Sequence, residues 1–194
     1  MSWRERKQDN RKRIWVSVFM AALMIFSAFG VYLGSVSSGG DSFEYKDYKF
    51  KLTDGKYVVK LNNKEIPFYS LPQDVESLNV SKESVELIRR AWIPQVVFDP
   101  AQESLQYIEL TRFDWNRWWG KPLVNGVTSA SNVYPDLPVL SCANATQNSP
   151  VIYLNSSFLV SSQLKGNCLI LNGLGVDFLR WRDRILYTYF GVLG

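Results

Sequence analysis

Ten consecutive residues gather much of the chemistry-bearing side-chain content of this chain: Arg112-Phe113-Asp114-Trp115-Asn116-Arg117-Trp118-Trp119-Gly120-Lys121. On a helix, Trp115 falls on the same side as Trp118 and Trp119. Exposed indole faces suit sugar rings or protein partners, and neighbouring guanidinium groups suit anions. Trp115, Trp118, Trp119, Arg112 and Arg117 are therefore the candidate binding residues. Large aromatics bury most of their area in folded domains, so packing of these rings in a core, with the arginines laid over them, carries more weight. Contact of Trp and Arg with a bilayer interface is a third use. The carboxylates Asp99, Glu103, Glu109 and Asp114 are the residue type of a glycosidase pair. Solvated surface charge is the stronger expectation for them.

What is missing restricts the chemistry. The chain has no histidine. That excludes Ser-His-Asp and Cys-His nucleophiles, H-E-x-x-H zinc sites and any His-ligated metal. No P-loop and no G-x-G-x-x-G occurs. Gly173-Leu174-Gly175 sits between an expected strand and an expected helix. Its amides have the right placing to cradle an anion, but a tight strand-to-helix turn is the plainer reading. Cys142 and Cys168 form no C-x-x-C, so a thioredoxin-type dithiol is not indicated. No metal and no cofactor is implied.

The N-terminus decides where the chain lives. Arg4, Arg6, Lys7, Arg11, Lys12 and Arg13 precede 20 residues without charge, Ile14 to Leu33. At about 1.5 Å per residue, such a run spans a bilayer core. Trp15 and Tyr32 near its ends suit the headgroup region. The positive-inside rule then keeps residues 1–13 in the cytoplasm and carries the rest across the cell membrane. A cleaved signal peptide is the alternative, with Ala28-Phe29-Gly30 as its site; the length of the apolar run favours an uncleaved anchor. Residues 34–42, rich in Gly and Ser, read as a flexible tether. Residues 43–194 remain as one extracytoplasmic domain. From Gly34 onward, Lys/Arg and Asp/Glu balance at sixteen each, so the net charge of +4 belongs to the tail. A nucleic-acid partner is thereby excluded. In an oxidising compartment two cysteines pair by default, so Cys142–Cys168 is expected as a disulfide. Asn79, Asn144 and Asn155 open N-x-S/T triplets and are glycosylation candidates.

The elements that must position these residues follow from pattern. Tyr48 to Leu52, Tyr57 to Leu61 and Glu65 to Tyr69 read as three strands of an antiparallel meander, with turns at Asp54-Gly55 and Asn62-Asn63. A helix starts at Ser81 and runs through Ala91. Gln95 to Phe98 is a short buried-type strand, and Gln102 to Trp119 a second helix closed by Gly120. Strands are expected at Pro122 to Thr128, Pro150 to Leu154, Phe158 to Val160 and Asn167 to Leu171. A last helix runs from Val176 or Asp177 to Phe190. Its Asp177, Arg180, Asp183 and Arg184 read as helix-surface ion pairs. The fold class is α+β or α/β: the three-stranded meander, then alternating strands with about three helices, behind one N-terminal transmembrane helix.

The stretches Ser141-Cys142-Ala143-Asn144-Ala145-Thr146, Pro150-Val151-Ile152-Tyr153, Asn167-Cys168-Leu169-Ile170 and Asp183-Arg184-Ile185-Leu186-Tyr187 with Gly191-Val192 resemble small single-pass archaeal membrane proteins of uncharacterised function. The resemblance covers the last third of the chain. It implies an archaeal cell surface and names no catalytic residue. The expected function is a non-enzymatic envelope protein, anchored in the lipid bilayer through Ile14 to Leu33, that binds or scaffolds an envelope protein or glycan. The alternative is a sugar-binding or sugar-active ectodomain using the Trp and carboxylate surface.

Overall fold

The computed structural model describes residues 18–25 and 42–194. Residues 18–25 are helical, and Val18, Phe19, Met20, Leu23, Met24 and Ile25 are all exposed. The basic tail, the remainder of the expected anchor and most of the tether lie outside the described residues. Among the described residues no helix is long and apolar enough to cross a membrane.

Residues 43–194 make one compact unit, and it is α+β. It opens with a meander of four strands: β1 Ser42–Tyr45, β2 Tyr48–Thr53, β3 Lys56–Leu61 and β4 Lys64–Phe68, paired in that order. The expected three strands are present, and β1 is an addition. Ser42 reads in sequence as the end of the tether, and the turn to β2 lacks the usual Asn or Gly signal. Lys46 takes a left-handed φ of 51° there. The other two turns follow the sequence signal: Asp54 and Gly55 have φ of 51° and 72°, Asn62 and Asn63 of 48° and 63°. Two consecutive left-handed residues give the hairpin turn whose twist matches the strands.

The second sheet holds β5 Gln95–Phe98, β6 Val124–Val127, β7 Val151–Ser156, β8 Ser161–Lys165 and β9 Cys168–Gly173 in the order β6-β5-β7-β9-β8. The first four are parallel, and β8 joins β9 antiparallel. Four helices accompany the sheets: α1 Pro72–Val75, α2 Lys82–Arg90, α3 Leu105–Trp118 and α4 Asp177–Tyr189. Ser81 caps α2 by accepting from the Ser84 amide at 3.2 Å. One strand lies elsewhere than expected. Phe158-Leu159-Val160 carries an apolar run, but Phe158 is 97 % exposed and Leu159 71 % exposed in the turn. The strand is the polar run that follows, because at a sheet edge pairing needs backbone more than apolar side chains.

Side chains alternate across the second sheet, giving it two faces. Val96, Phe98, Ile152, Leu154, Leu169 and Leu171 face a core shared with Ile108 and Trp115 of α3, Phe178, Trp181 and Ile185 of α4, and Phe50, Val59, Ile66 and Phe68 of the meander. Val97, Val151 and Cys168 face the other way, under Leu140, Cys142 and Ala145 of the long β6–β7 connection. Helix α4 touches α1, α2, α3 and β9. It is enclosed rather than one-sided.

Candidate functional site

The aromatic run is split by α3. Trp115 and Trp119 are buried, their rings 5.4 Å apart. Trp115 Nε1 donates to the Arg182 carbonyl at 3.4 Å, and the Trp119 ring meets Tyr189 at 5.9 Å. Arg112 is also buried. Its Nε donates to Asn125 Oδ1 at 2.9 Å, its Nη1 to Glu109 Oε1 at 2.5 Å, and its guanidinium lies over the Phe98 ring at 4.6 Å. Burial pushes the Arg112 pKa down, and Glu109 opposes that shift. Only Trp118, half-buried, and Arg117, exposed, reach the surface, with the guanidinium 4.9 Å from the Trp118 ring. The five candidates therefore do not converge on one surface. Three of them hold α3 to the sheet and to α4: Trp115 and Trp119 pack in the core, the reading given more weight, and form no exposed platform.

The carboxylates on α3 are similarly committed. Asp114 lies 3.4 Å from Arg182 Nε and accepts from Tyr69 Oη at 3.0 Å. Arg182 and Asp183 are wholly buried, joined at 2.6 Å, and not on a helix surface as their sequence spacing suggested. Arg184 is buried too, donating to the Leu78 carbonyl at 2.8 Å. The surface-pair expectation holds only for Asp177 and Arg180, 3.2 Å apart. Asp183 Oδ2 accepts the Tyr69 and Ser70 amides, each at 2.8 Å, and Arg182 Nη1 donates to the Pro67 carbonyl at 2.8 Å. These bonds tie the end of β4 to α4. Burial pushes the Asp183 carboxyl up to about 6, against the pull of Arg182 and the two amides. Burial, and then Asp114, push Tyr69 up to about 12.

The glycine turn is occupied as well. The Leu174 amide donates to Asp177 Oδ2 at 3.2 Å and the Gly175 amide to Ser104 Oγ at 2.9 Å. Neither amide is left for an anion. No cluster of three or more Cys, Asp or Glu suited to a metal occurs among the described residues.

The second sheet face is different. Cys142 and Cys168 are disulfide-bonded, with Cα atoms 5.2 Å apart. Cys168 lies on β9, and Cys142 opens a 3₁₀ turn, Cys142–Asn144, in the β6–β7 connection. The bridge pins that connection as a strap over the amino-terminal half of the face. Gln95 Nε2 holds it from below, donating to the Ser149 carbonyl at 3.0 Å and to Ser149 Oγ at 2.9 Å. At Gly126 a Cβ would stand 2.6 Å from Leu140 Cδ1, so a larger residue there would have to displace Leu140 of the strap. The carboxyl-terminal half of the face carries Tyr153, Asn155, Ile170, Asn172, Ser161 and Gln163, all half-buried or exposed. Sequence reasoning missed this group. Its signal was the placing of polar Tyr153 and Asn155 at alternate positions of β7 and of Asn172 near the end of β9.

The three glycosylation candidates differ. Asn79 and Asn144 are exposed. Asn155 is half-buried, and its Nδ2 donates to Asn172 Oδ1 at 2.7 Å.

No family model, curated protein or solved structure matches this chain.

Proposed function

We propose that this chain is a membrane-tethered extracytoplasmic protein that binds or scaffolds another component of the cell envelope. The observation that carries the reading is the Cys142–Cys168 bridge. Stable structural disulfides belong to oxidising compartments, and this one lies in a unit preceded by a basic tail and an uncharged run. The helical segment 18–25 adds support: it is apolar on every side, and six of its apolar side chains are exposed. A helix of that kind suits a lipid surround better than water. Binding is favoured over catalysis because the charged groups of α3 and α4 are spent on docking the elements together. The resemblance of the last third of the chain points to an archaeal surface as the setting.

The bridge gives the test. Protein isolated from cells under rapid alkylation is digested without reductant and weighed. The expected product is a linked Cys142/Cys168 peptide pair in nearly all molecules. Alkylated free thiols at both positions would overturn the reading.

A further inference from the structure

We infer that the open half of the second sheet face is a binding shelf for a neutral, hydroxyl-rich ligand, a saccharide without charged groups. The inference rests on the extracytoplasmic reading for its source of glycans, but the shelf itself stands on geometry. Register places the residues side by side: Tyr153, Ile170 and Gln163 form one row, and Asn155, Asn172 and Ser161 the next. Asp99 follows the paired Phe98 and Leu154, so it stands level with Asn155 at the same end. Its charge reaches Tyr153.

Three features point to a ligand rather than to a bare surface. Parallel sheets are ordinarily covered on both faces, whereas here the strap covers half of one. The shelf also lies at the carboxyl ends of β5, β7 and β9. The chain runs from β5 to β6 on one side and returns to β7 on the other, so β5 and β7 flank the topological switch point. Open α/β sheets hold ligands in the crevice outside the strand ends at that point. Finally, the amides are held in place. Asn155 Nδ2 donates to Asn172 Oδ1 at 2.7 Å, and Asn172 Nδ2 donates to Ser161 Oγ at 3.0 Å. Preorganised polar groups lose little entropy on binding.

The side-chain set selects the ligand class. Among the described residues, Asn155 keeps one N–H and its oxygen free, Gln163 keeps its whole amide, and Asp99 keeps Oδ2, its Oδ1 being taken by the Ala101 amide at 2.9 Å. Each pairs a donor or acceptor with a hydroxyl. The Tyr153 ring offers an amphipathic surface for the C–H side of a sugar. No Lys or Arg stands among these seven residues; Lys165, the nearest cation along β8, is one row further, beside Cys168. An anionic ligand therefore has no counter-charge on the shelf.

The test uses the full-length protein in detergent micelles on an array of neutral and acidic oligosaccharides. Binding to neutral glycans is expected. Tyr153→Ala and Gln163→Ala should each weaken it about tenfold or more, the worth of one or two hydrogen bonds or a stacked ring. Gln163 is exposed on an edge strand, so Q163A keeps the fold even if Y153A does not. Trp118→Ala should leave binding unchanged. A folded protein that captures no neutral glycan overturns the shelf. So does binding that is confined to acidic glycans, or undiminished in Q163A. Self-association through this face, lost in Q163A without glycan capture, overturns it equally. An extracytoplasmic domain without glycan binding would remove the shelf alone; glycan binding by a cytoplasmic domain would remove the tether alone.

Discussion

Asp183 is the residue on which the join between meander and α4 turns. It answers Arg182 with one oxygen and two β4-end amides with the other. Asp183→Asn would leave a buried guanidinium with Asp114 alone as its ionic partner. The new amide nitrogen would also face either the Arg182 guanidinium or the Tyr69 and Ser70 amides, donor against donor, so a urea midpoint below that of the parent protein is expected. The pH dependence has a definite sign. The folded carboxyl titrates near 6, above its unfolded value of 3.8. Between these values the folded state holds more protons than the unfolded. Stability from this group is complete below about pH 4 and is lost as pH rises through about 6. Denaturant titrations from pH 4 to 7 should show a fall that Asp183→Asn removes; a parent protein that gains stability over this window contradicts the assignment. Sequence could not reveal this. Asp183 among arginines reads as solvated helix charge unless α4 is known to be enclosed on all sides.

At the scale of elements, the local signals that carry their own geometry were legible. Asp54-Gly55 and Asn62-Asn63 fold as their φ values demand, Ser81 caps α2, and α2, β5, β7, β9 and α4 fall where periodicity places them. The elements that pattern missed lack such signals. The turn at Lys46 has no Asn or Gly, and β8 is polar because it is an edge. Apolar Phe158 and Leu159 misled because periodicity cannot tell an exposed turn from a buried strand. The polar positions of β7 and β9 show in their alternation, but the register that sets them side by side has no local signature. Two predictions belong here. Gly126→Val drives a side chain into Leu140; the strap must shift, at about 1–3 kcal/mol, and the bridge should reduce faster in dithiothreitol than the parent's. Glycan occupancy, read by mass spectrometry in a glycosylating host, should favour Asn79 and Asn144 over Asn155, whose amide nitrogen is engaged on the sheet. Full occupancy at Asn155 would show that this amide pair does not hold.

For the whole molecule, α4 shares one core with the meander and the second sheet, and the disulfide staples the strap to the smaller apolar cluster on the opposite sheet face. Its sequence separation of 26 gives a loop-closure contribution of about 3–4 kcal/mol. Cys142→Ser with Cys168→Ser should lower the denaturation midpoint accordingly, while circular dichroism at low temperature keeps its α+β form. The expectation of an anchor, a tail and a direction of insertion rests on charge and hydropathy, which are properties of composition along a line. The open polar face was not legible, because it is assembled from three strands, while Trp115 and Trp119 of the aromatic run face inward. Location is the claim on which the rest depends. Its most direct measurement is protease treatment of intact cells carrying a tag after Gly194. The account predicts that the tag is lost without lysis and that the protein stays with the membrane fraction. A tag that survives until the cells are broken would contradict it.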